Sequence, residues 1–302
     1  MRKINLLVIL VISIVSFGCA AKVHTPLNQE ARENISSCDI YIFLQQQEIY
    51  AEIDKSKVSM ATGGGLIAAL IDSAVDHSRA KKAEASIMPI KNSLVDFDFG
   101  NTLKKEIQNS VKSVTWLNVG QINLEGMLTE ENSDRCFVNA SASAILLVQP
   151  SYYFSSDFKS FKIASSVHLL PKSESLQKYK TESDERPADL ENAIYKNVLT
   201  YQEEVVKEGE KEENLQYWTE DKSIQVKTAL SDGIKELARM IAIDINRTDL
   251  PDQSSKGEKI ELQGIEGNVI SRDNPFVIIQ LDNGAMFSIK APDNPSVAQI
   301  AD

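Results

Sequence analysis

The spacing of hydrophobic and polar residues along the chain predicts both strands and helices, with no internal repeat. Apolar residues that alternate with polar ones are typical of half-buried strands. This pattern predicts strands over residues 39–44, 48–53, 115–124, 142–149 and 161–169. We expect the first two strands to pair as a hairpin. The run Ala144–Val148 is continuously apolar, which indicates a strand that is buried on both faces.

Three further segments carry apolar residues at helical spacing. The first helix should follow Gly63-Gly64-Gly65, and its apolar face begins with Leu66, Ile67, Leu70 and Ile71. The second helix should span residues 98–114. The third should begin at Ser223, a residue that can cap it, and end near Asn246. Residues 190–205 fit a helix but leave a strand open.

A polar, proline-containing stretch over residues 249–257 has the composition of a linker. Beyond it, residues 258–302 hold four short strand candidates, and Asn283-Gly284 is the preferred pair for a type I′ hairpin turn. The predicted fold class is α+β, with a mixed sheet packed by two or three helices over residues 38–248 and a small C-terminal all-β module. A module of about 45 residues is near the lower size for an independent core, so it should lean on the main domain.

The N-terminus has the pattern of a secretory signal peptide over residues 1–18. A short basic start, Met1-Arg2-Lys3, precedes an apolar stretch from Ile4 to Val15, and a small Gly18 stands before Cys19. The apolar stretch is shorter than the roughly 20 residues that a helix needs to cross a bilayer. The pattern therefore favours a cleaved signal over a permanent transmembrane anchor.

Gly18-Cys19 resembles the bacterial lipoprotein signal, in which diacylglycerol is attached to the cysteine thiol, the chain is cut before it, and the new amine is acylated. Ser16 departs from the leucine that this family usually has at that position. The resemblance implies lipidation of Cys19, and Ala20 after it implies sorting to the outer membrane. Each buried acyl methylene contributes about 0.8 kcal/mol to membrane binding. We therefore expect a lipidated tether over residues 19–37 and a body that faces the periplasm.

The charge of the chain changes the expected partners. The 302 residues include 32 Lys and Arg against 43 Asp and Glu, for a formal net charge of −11. An acidic surface repels phosphate backbones, so nucleic acid is not expected as a partner. Loss of residues 1–18 would leave 284 residues with a net charge of −13. A body this negative should meet the membrane only through its lipid anchor and should bind proteins rather than anionic lipid.

Two cysteines remain once Cys19 carries lipid. Cys38 and Cys136 form an even pair in an oxidising compartment, which makes them disulfide candidates. Two separate buried thiols are the alternative, and the sequence does not supply the Cα separation that decides between them.

The sequence holds few residues suited to catalysis or to metal binding. His24, His77 and His168 lack metal-ligand spacing, and we expect all three at the surface. The sequence contains no HExxH, CxxC or GxSxG motif, and the residues around Gly63-Gly64-Gly65 match neither phosphate-binding fingerprint. We therefore predict no metal, no cofactor and no enzymatic activity.

Aromatic residues are concentrated between two predicted strands, where Tyr152, Tyr153, Phe154 and Phe158 lie close together in the sequence. Such a cluster can line an apolar groove or an interface. Packing across a hairpin is the structural alternative. With the apolar face that begins at Leu66, this cluster is the candidate surface for a partner or a ligand.

The order of elements resembles periplasmic lipoproteins of the type seen in the curli-transport lipoprotein, the TolB N-terminal domain and the auxiliary lipoproteins of envelope transport systems. The stretches that carry it are GNTLKKEIQNSV, SASAILLVQPSYYFSSDFKSFKIASSVHLL and IKELARMIAIDI. The resemblance implies contacts with outer-membrane or periplasmic proteins and no catalytic residues. We therefore expect a non-enzymatic accessory or scaffold protein of an envelope, transport or secretion assembly. The alternative is a periplasmic carrier of an apolar ligand or lipid.

Overall fold

The computed structural model describes residues 23–53, 66–180, 190–247, 258–291 and 299–300, with the backbone alone for 66–76 and 299–300. The predicted α+β class is confirmed, because the described residues form a mixed sheet packed by helices and end in a C-terminal set of β-strands. The predicted signal peptide, Cys19, Gly63-Gly64-Gly65 and the linker at 249–257 lie outside the described residues.

The described residues contain six helices and eleven strands. The helices are α1 (Gln29–Glu33), α2 (Leu66–Ser93), α3 (Phe99–Ser110), α4 (Glu130–Asn139), α5 (Glu174–Gln177) and α6 (Lys211–Asn246). The strands are β1 (Cys38–Phe43), β2 (Tyr50–Ala51), β3 (Val119–Glu125), β4 (Ala144–Phe154), β5 (Ser160–Pro171), β6 (Tyr195–Glu204), β7 (Lys259–Leu262), β8 (Ile265–Asp273), β9 (Phe276–Gln280), β10 (Met286–Lys290) and β11 (Gln299–Ile300).

These strands form one sheet in the order β11-β7-β8-β9-β10-β6-β5-β4-β1-β3, and β2 pairs beside β4. Strands β4, β5 and β6 form an antiparallel meander, while β1 pairs in parallel with both β3 and β4. The C-terminal strands join the main sheet through the parallel pair β6 and β10. The C-terminal β-module is therefore continuous with the sheet of the main domain.

The pairing of the strands decides three local predictions. Residues 195–204, which the pattern left open, form β6 and pair along their length with β5. The expected hairpin of β1 and β2 is wrong, because β2 pairs in parallel with the end of β4. The hairpin of β9 and β10 forms at the expected position, but positive φ occurs at Gly284 alone, whereas a type I′ turn requires it at both central residues.

The main core lies between one face of the sheet and the helices α2, α3 and α6. The predicted apolar stripe of the third helix is buried completely: Val226, Leu230, Ile234, Leu237 and Ile241. The stripe of α3 is also buried, and Asp98 caps this helix by accepting from the Asn101 backbone N–H. A smaller core on the opposite face packs beneath α4, a helix that the pattern did not predict.

Helix α6 begins earlier than expected. It starts at Lys211, twelve residues before Ser223, and the backbone leaves helical geometry from Glu220 to Ser223. The predicted helix start at Ser223 therefore coincides with a break between two helical parts. Trp218, which the pattern did not place, is fully buried and holds the first part against the sheet.

Ordered packing begins before Cys38. Residues 23–37 were expected to be part of a polar tether, yet Leu27 and Ala31 are fully buried in the main core. Thr25 forms a backbone bridge to Lys196 of β6, and Asn28 caps the short helix α1. The polar composition of this stretch concealed a few well-spaced apolar residues, which together bury one face of it.

Asp39 fixes the edge of the sheet where β1 and β3 meet. Its carboxylate is 1 % exposed and accepts hydrogen bonds from the backbone N–H groups of Gln121 (2.9 Å), Ser141 (3.2 Å) and Ala142 (3.4 Å). The register shifts at this point, and a Cβ on Gly120 would lie 2.5 Å from the Asp39 Oδ1 atom. Glycine at 120 therefore makes room for the carboxylate that satisfies these three donors.

We predict that Asp39→Ala destabilises the fold by about 3 kcal/mol, because the substitution removes the buried acceptor of three backbone N–H groups, including that of the buried Ala142. Asp39→Asn keeps one oxygen acceptor, so it should lose clearly less stability than Asp39→Ala. The free energy of unfolding, measured by urea denaturation, tests this order. The exposed Asp96→Ala is the control and should change stability by less than about 0.5 kcal/mol. Equal stability of Asp39→Ala and Asp96→Ala would contradict the role of the carboxylate.

Candidate functional site

The candidate partner surface on the first predicted helix is described only in its backbone. Leu66, Ile67, Leu70 and Ile71 lie in α2, so the predicted helix is confirmed there, but their side chains lie outside the described part of the structure. Whether they form an exposed apolar face stays a prediction.

The aromatic cluster is divided between the core and the surface. Phe154 and Phe158 are fully buried and pack with Phe161 and Trp218 at ring-centroid distances of 5.3–6.3 Å. The Trp218 indole N–H donates to the Phe158 carbonyl oxygen at 2.8 Å. The prediction of Phe154 and Phe158 as a partner or ligand surface is therefore wrong. Aromatic packing across the hairpin, with Trp218 contributed by α6, accounts for both residues.

Tyr152 and Tyr153 lie on opposite faces of β4. Tyr152 faces the core, stacks on Phe99 at 4.2 Å and donates through its hydroxyl to the Gln47 carbonyl oxygen at 3.2 Å. Burial, assisted by the negative charge of Glu48, raises the pKa of Tyr152 to about 12. Tyr153 instead stacks on the exposed Tyr50 at 5.3 Å. Tyr153 is thus the member of the predicted surface that contributes to an exposed aromatic pair.

A cleft of about 290 Å³ opens beside Tyr152 and is also lined by Ile49, Leu94 and Phe97. The Lys91 ammonium at its edge is paired with Glu48 at 2.8 Å and Glu84 at 2.5 Å. Pockets for small ligands usually measure about 300–1,000 Å³, so this cleft is just below that range. It lies next to Tyr152, a member of the candidate surface for a partner or a ligand.

Cys38 and Cys136 are both free and buried. Cys38 faces the main core, whereas Cys136 on α4 packs in the smaller core on the opposite face of the sheet. The predicted disulfide is therefore wrong, because β1 separates the two sulfur atoms. Burial raises the pKa of the Cys38 thiol to about 12 and that of Cys136 to about 11, so both are protonated at neutral pH.

Two of the three histidines are not at the surface, contrary to expectation. His77 is exposed on α2, but His168 is largely buried on β5 opposite Lys196. Burial and the positive charge of Lys196 lower the pKa of His168 to about 4. His24 is 5 % exposed and packs against Gly284, where a Cβ would collide with it.

His24 belongs to a buried polar cluster that we call the N-terminal junction: His24, Tyr195, Asn197, Asp244 and Arg247. The Asp244 carboxylate accepts from the Tyr195 hydroxyl and from the Asn197 amide, both at 2.7 Å. His24 Nε2 lies 3.6 Å from the same oxygen, and Arg247 Nη1 lies 3.9 Å from the other. Burial and the adjacent carboxylate raise the pKa of Tyr195 well above its usual value.

The N-terminal junction joins segments that are far apart in the sequence. It brings together the start of the described chain, β6, and the end of α6, and Val23 also donates its backbone N–H to Asn283 in the turn of β9 and β10. Sequence spacing could not reveal this cluster, since its members are up to 223 residues apart. The His24 imidazole and the Tyr195 hydroxyl both face the buried Asp244 carboxylate, an arrangement that is typical of a structural role.

A second polar cluster lies where α6 crosses β6 and β10. Glu236 accepts from the Ser288 hydroxyl at 2.5 Å and from Arg239, and Glu203 accepts from the Tyr201 hydroxyl at 2.6 Å and from Lys290 at 2.8 Å. Ser288 and Lys290 lie on β10, so these bonds attach the C-terminal strands to the main domain.

In the described part of the chain, no three His, Cys, Asp or Glu side chains are close enough to share a metal ion. Also within that part, no helix combines the length and apolarity that crossing a membrane requires.

We predict that His168 makes the protein less stable as the pH falls. In the folded state His168 stays neutral down to about pH 4, whereas in the unfolded state it binds a proton below about pH 6.5. Protonation therefore favours the unfolded state, and the free energy of unfolding falls as the pH decreases from about 6.5 to about 4. For His168 alone this amounts to about 2 kcal/mol between pH 8 and pH 5. His168→Gln should therefore lose about 2 kcal/mol less than wild type over that interval, as measured by urea denaturation.

His77→Gln is the matched control, since His77 is exposed, and it should retain the wild-type pH dependence. Identical pH profiles for His168→Gln and wild type would show that the buried imidazole does not set this acid sensitivity.

The comparisons with known proteins add no family to this description: no protein-family model matches the chain, and a search of curated proteins finds no match.

Proposed function

We propose that this protein is a non-enzymatic lipoprotein, anchored through Cys19 in the outer membrane, that acts from the periplasmic face as an accessory or scaffold component of an envelope, transport or secretion assembly. The lipoprotein pattern around Gly18-Cys19 supports the anchor. The buried, structural character of the polar clusters supports a role in binding rather than in chemistry.

One observation carries the proposal further than the sequence does: the folded body begins almost directly after the anchor. Val23 is bonded to the turn of β9 and β10, and only three residues separate it from Cys19. Four residue steps span at most about 14 Å. A lipid on Cys19 would therefore hold the N-terminal junction next to the membrane surface, which gives the body a restricted position suited to a scaffold.

A second candidate function is a carrier for an apolar ligand, which the cleft beside Tyr152 favours. Its apolar walls include Ile49 and Phe97, and part of the expected site involves α2 side chains that lie outside the described residues. Extraction of the purified protein with organic solvent, followed by mass spectrometry, tests this candidate. A stoichiometric lipid would favour the carrier, and protein free of lipid other than its own anchor would oppose it.

We predict that Cys19→Ala abolishes lipid labelling and removes the protein from the outer membrane. Cells fed an alkyne-tagged fatty acid should label wild type but not Cys19→Ala, and the variant should lose its tight association with outer-membrane fractions because the acyl chains are absent. Cys136→Ala is the matched control: it also removes one thiol, but a buried one, and should label as wild type does. Labelling of Cys19→Ala would refute the anchor.

The scaffold role is tested separately by crosslinking in intact cells and recovery through a C-terminal tag. The proposal expects defined envelope proteins in the crosslinked product, in amounts comparable to the bait and absent without the crosslinker. Recovery of the protein alone, with co-purified lipid, would refute the scaffold and favour the carrier.

A further inference from the structure

A groove of about 430 Å³ runs between α3 and the edge strand β3, on the face of the sheet that carries the main core. Its floor is apolar and is formed by Val111, Val114 and Leu117, with Ile122 of β3 along one side. Strand β3 is the last strand at this end of the sheet among the described residues. The groove is therefore bordered by a strand edge that is free to accept another strand.

The open part of this edge is short and well defined. At its start, the register with β1 shifts beside Asp39, and the Gln121 backbone N–H donates to the Asp39 carboxylate. After it, the strand continues in regular pairing with β1 from Ile122 to Glu125. Free strand edges in soluble proteins are usually protected by proline, lysine or a covering element, and none of these protects β3 from Ile122 to Glu125 in the described structure. An extended segment can add here by backbone hydrogen bonds.

The charged residues around the groove indicate which kind of segment would bind there. Lys104 and Lys112 are the charged residues that line it, and neither forms an ion pair with a carboxylate within the described ranges. Glu125 lies on the other side of β3, where it pairs with Arg135 at 3.6 Å. In a chain with a net charge of −11, a groove lined only by positive charges is complementary to an acidic partner.

The spacing of the two lysines predicts the sequence pattern of a strand that would bind in the groove. Lys104 lies on α3 and Lys112 on the 3-10 turn Val111–Ser113 that follows it, eight residues later. At about 1.5 Å of rise per residue, the backbones of the two lysines are about 12 Å apart along the helix direction. Residues four apart on a strand share one face and lie about 13 Å apart. Carboxylates at these two strand positions can meet the two lysines, while the residue midway between them faces the apolar floor.

We propose that β3 and α3 form a docking groove for an extended acidic segment of a partner protein, which adds to the sheet beside β3 and presents two carboxylates, four residues apart, to Lys104 and Lys112, with an apolar residue midway between them. This goes beyond the proposed function, since it names the partner's chemistry and does not depend on the lipid anchor.

The test uses the purified full chain in mild detergent and a dye-labelled peptide of seven residues, with glutamate at its second and sixth positions, valine at its fourth and threonine elsewhere. Isoleucine and phenylalanine versions at the fourth position complete the panel. We expect at least one to bind with a Kd below about 1 mM by fluorescence anisotropy and to weaken as salt is added. Absence of binding by all three would overturn the proposal.

Two protein variants locate the site. Lys104→Glu with Lys112→Glu should weaken binding about tenfold or more, because both attractions become repulsions. Lys81→Glu with Lys105→Glu makes the same change of charge at exposed positions outside the groove and should stay within about twofold of wild type. Equal losses in the two variants would show that only the net charge matters and would overturn the site.

Two peptide controls test the binding mode. Lysine in place of both glutamates should abolish binding, and N-methylation of alternate backbone amides should abolish it because it removes the donors for strand addition. Full binding by the N-methylated peptide would overturn addition to β3. If the protein forms a dimer that Ile122→Glu dissociates and that the acidic peptides do not disturb, the occupant is a second copy and the proposal is wrong. None of these results depends on Cys19, so they are distinguishable from failure of the anchor.

Discussion

The fold depends on the close approach of α6 to the centre of the sheet. Gly233 makes this approach feasible: a Cβ at that position would lie 2.5 Å from the Tyr201 ring and 2.7 Å from the Ile163 side chain. The close contact lets the apolar stripe of α6 cover β5 and β6, and it brings Glu236 within hydrogen-bond distance of Ser288 on β10. The same helix therefore supplies the core and attaches the C-terminal strands.

The polar residues of α6 explain why the sheet continues beyond β6. Glu236 and Asp244 are 6 % and 2 % exposed, and a buried carboxylate is costly unless it is paired and hydrogen-bonded. Glu236 is satisfied by Arg239 and Ser288. The Oδ2 atom of Asp244 accepts from Tyr195 and Asn197, and its Oδ1 atom lies 3.9 Å from the Arg247 guanidinium. Because Ser288 lies on β10, detaching the C-terminal strands would leave Glu236 without one of its donors. The polar contacts thus favour one position of β10 against β6, where apolar packing alone would be less selective.

Much of this fold could be predicted from the sequence where one local pattern determines the outcome. The stripe from Val226 to Ile241 and the face of α3 follow a strict helical spacing, and both are buried as expected. The pattern failed where the partner was distant. Trp218 and His24 are buried by residues that are remote in the sequence, and α4 has too few apolar residues to show its period. Cys38 and Cys136 illustrate the same limit. An even number of cysteines does not show whether two of them lie on opposite faces of a sheet, as these two do.

The two regions on which the proposals rest lie at different parts of the sheet, and this separation has a mechanical consequence. The N-terminal junction joins Val23 and His24 to β6 and to the turn before β10, whereas β3 is at the far edge, with β5, β4 and β1 between it and β6. Four strand spacings of about 4.8 Å amount to about 19 Å. A body held at its N-terminal junction would therefore keep the β3 edge clear of its own attachment point. Because β4 pairs with β5 over eleven residues and is buried at its start, the intervening sheet is a rigid spacer. If Cys19 carries lipid, a body built in this way would hold the β3 edge away from the point where it is attached.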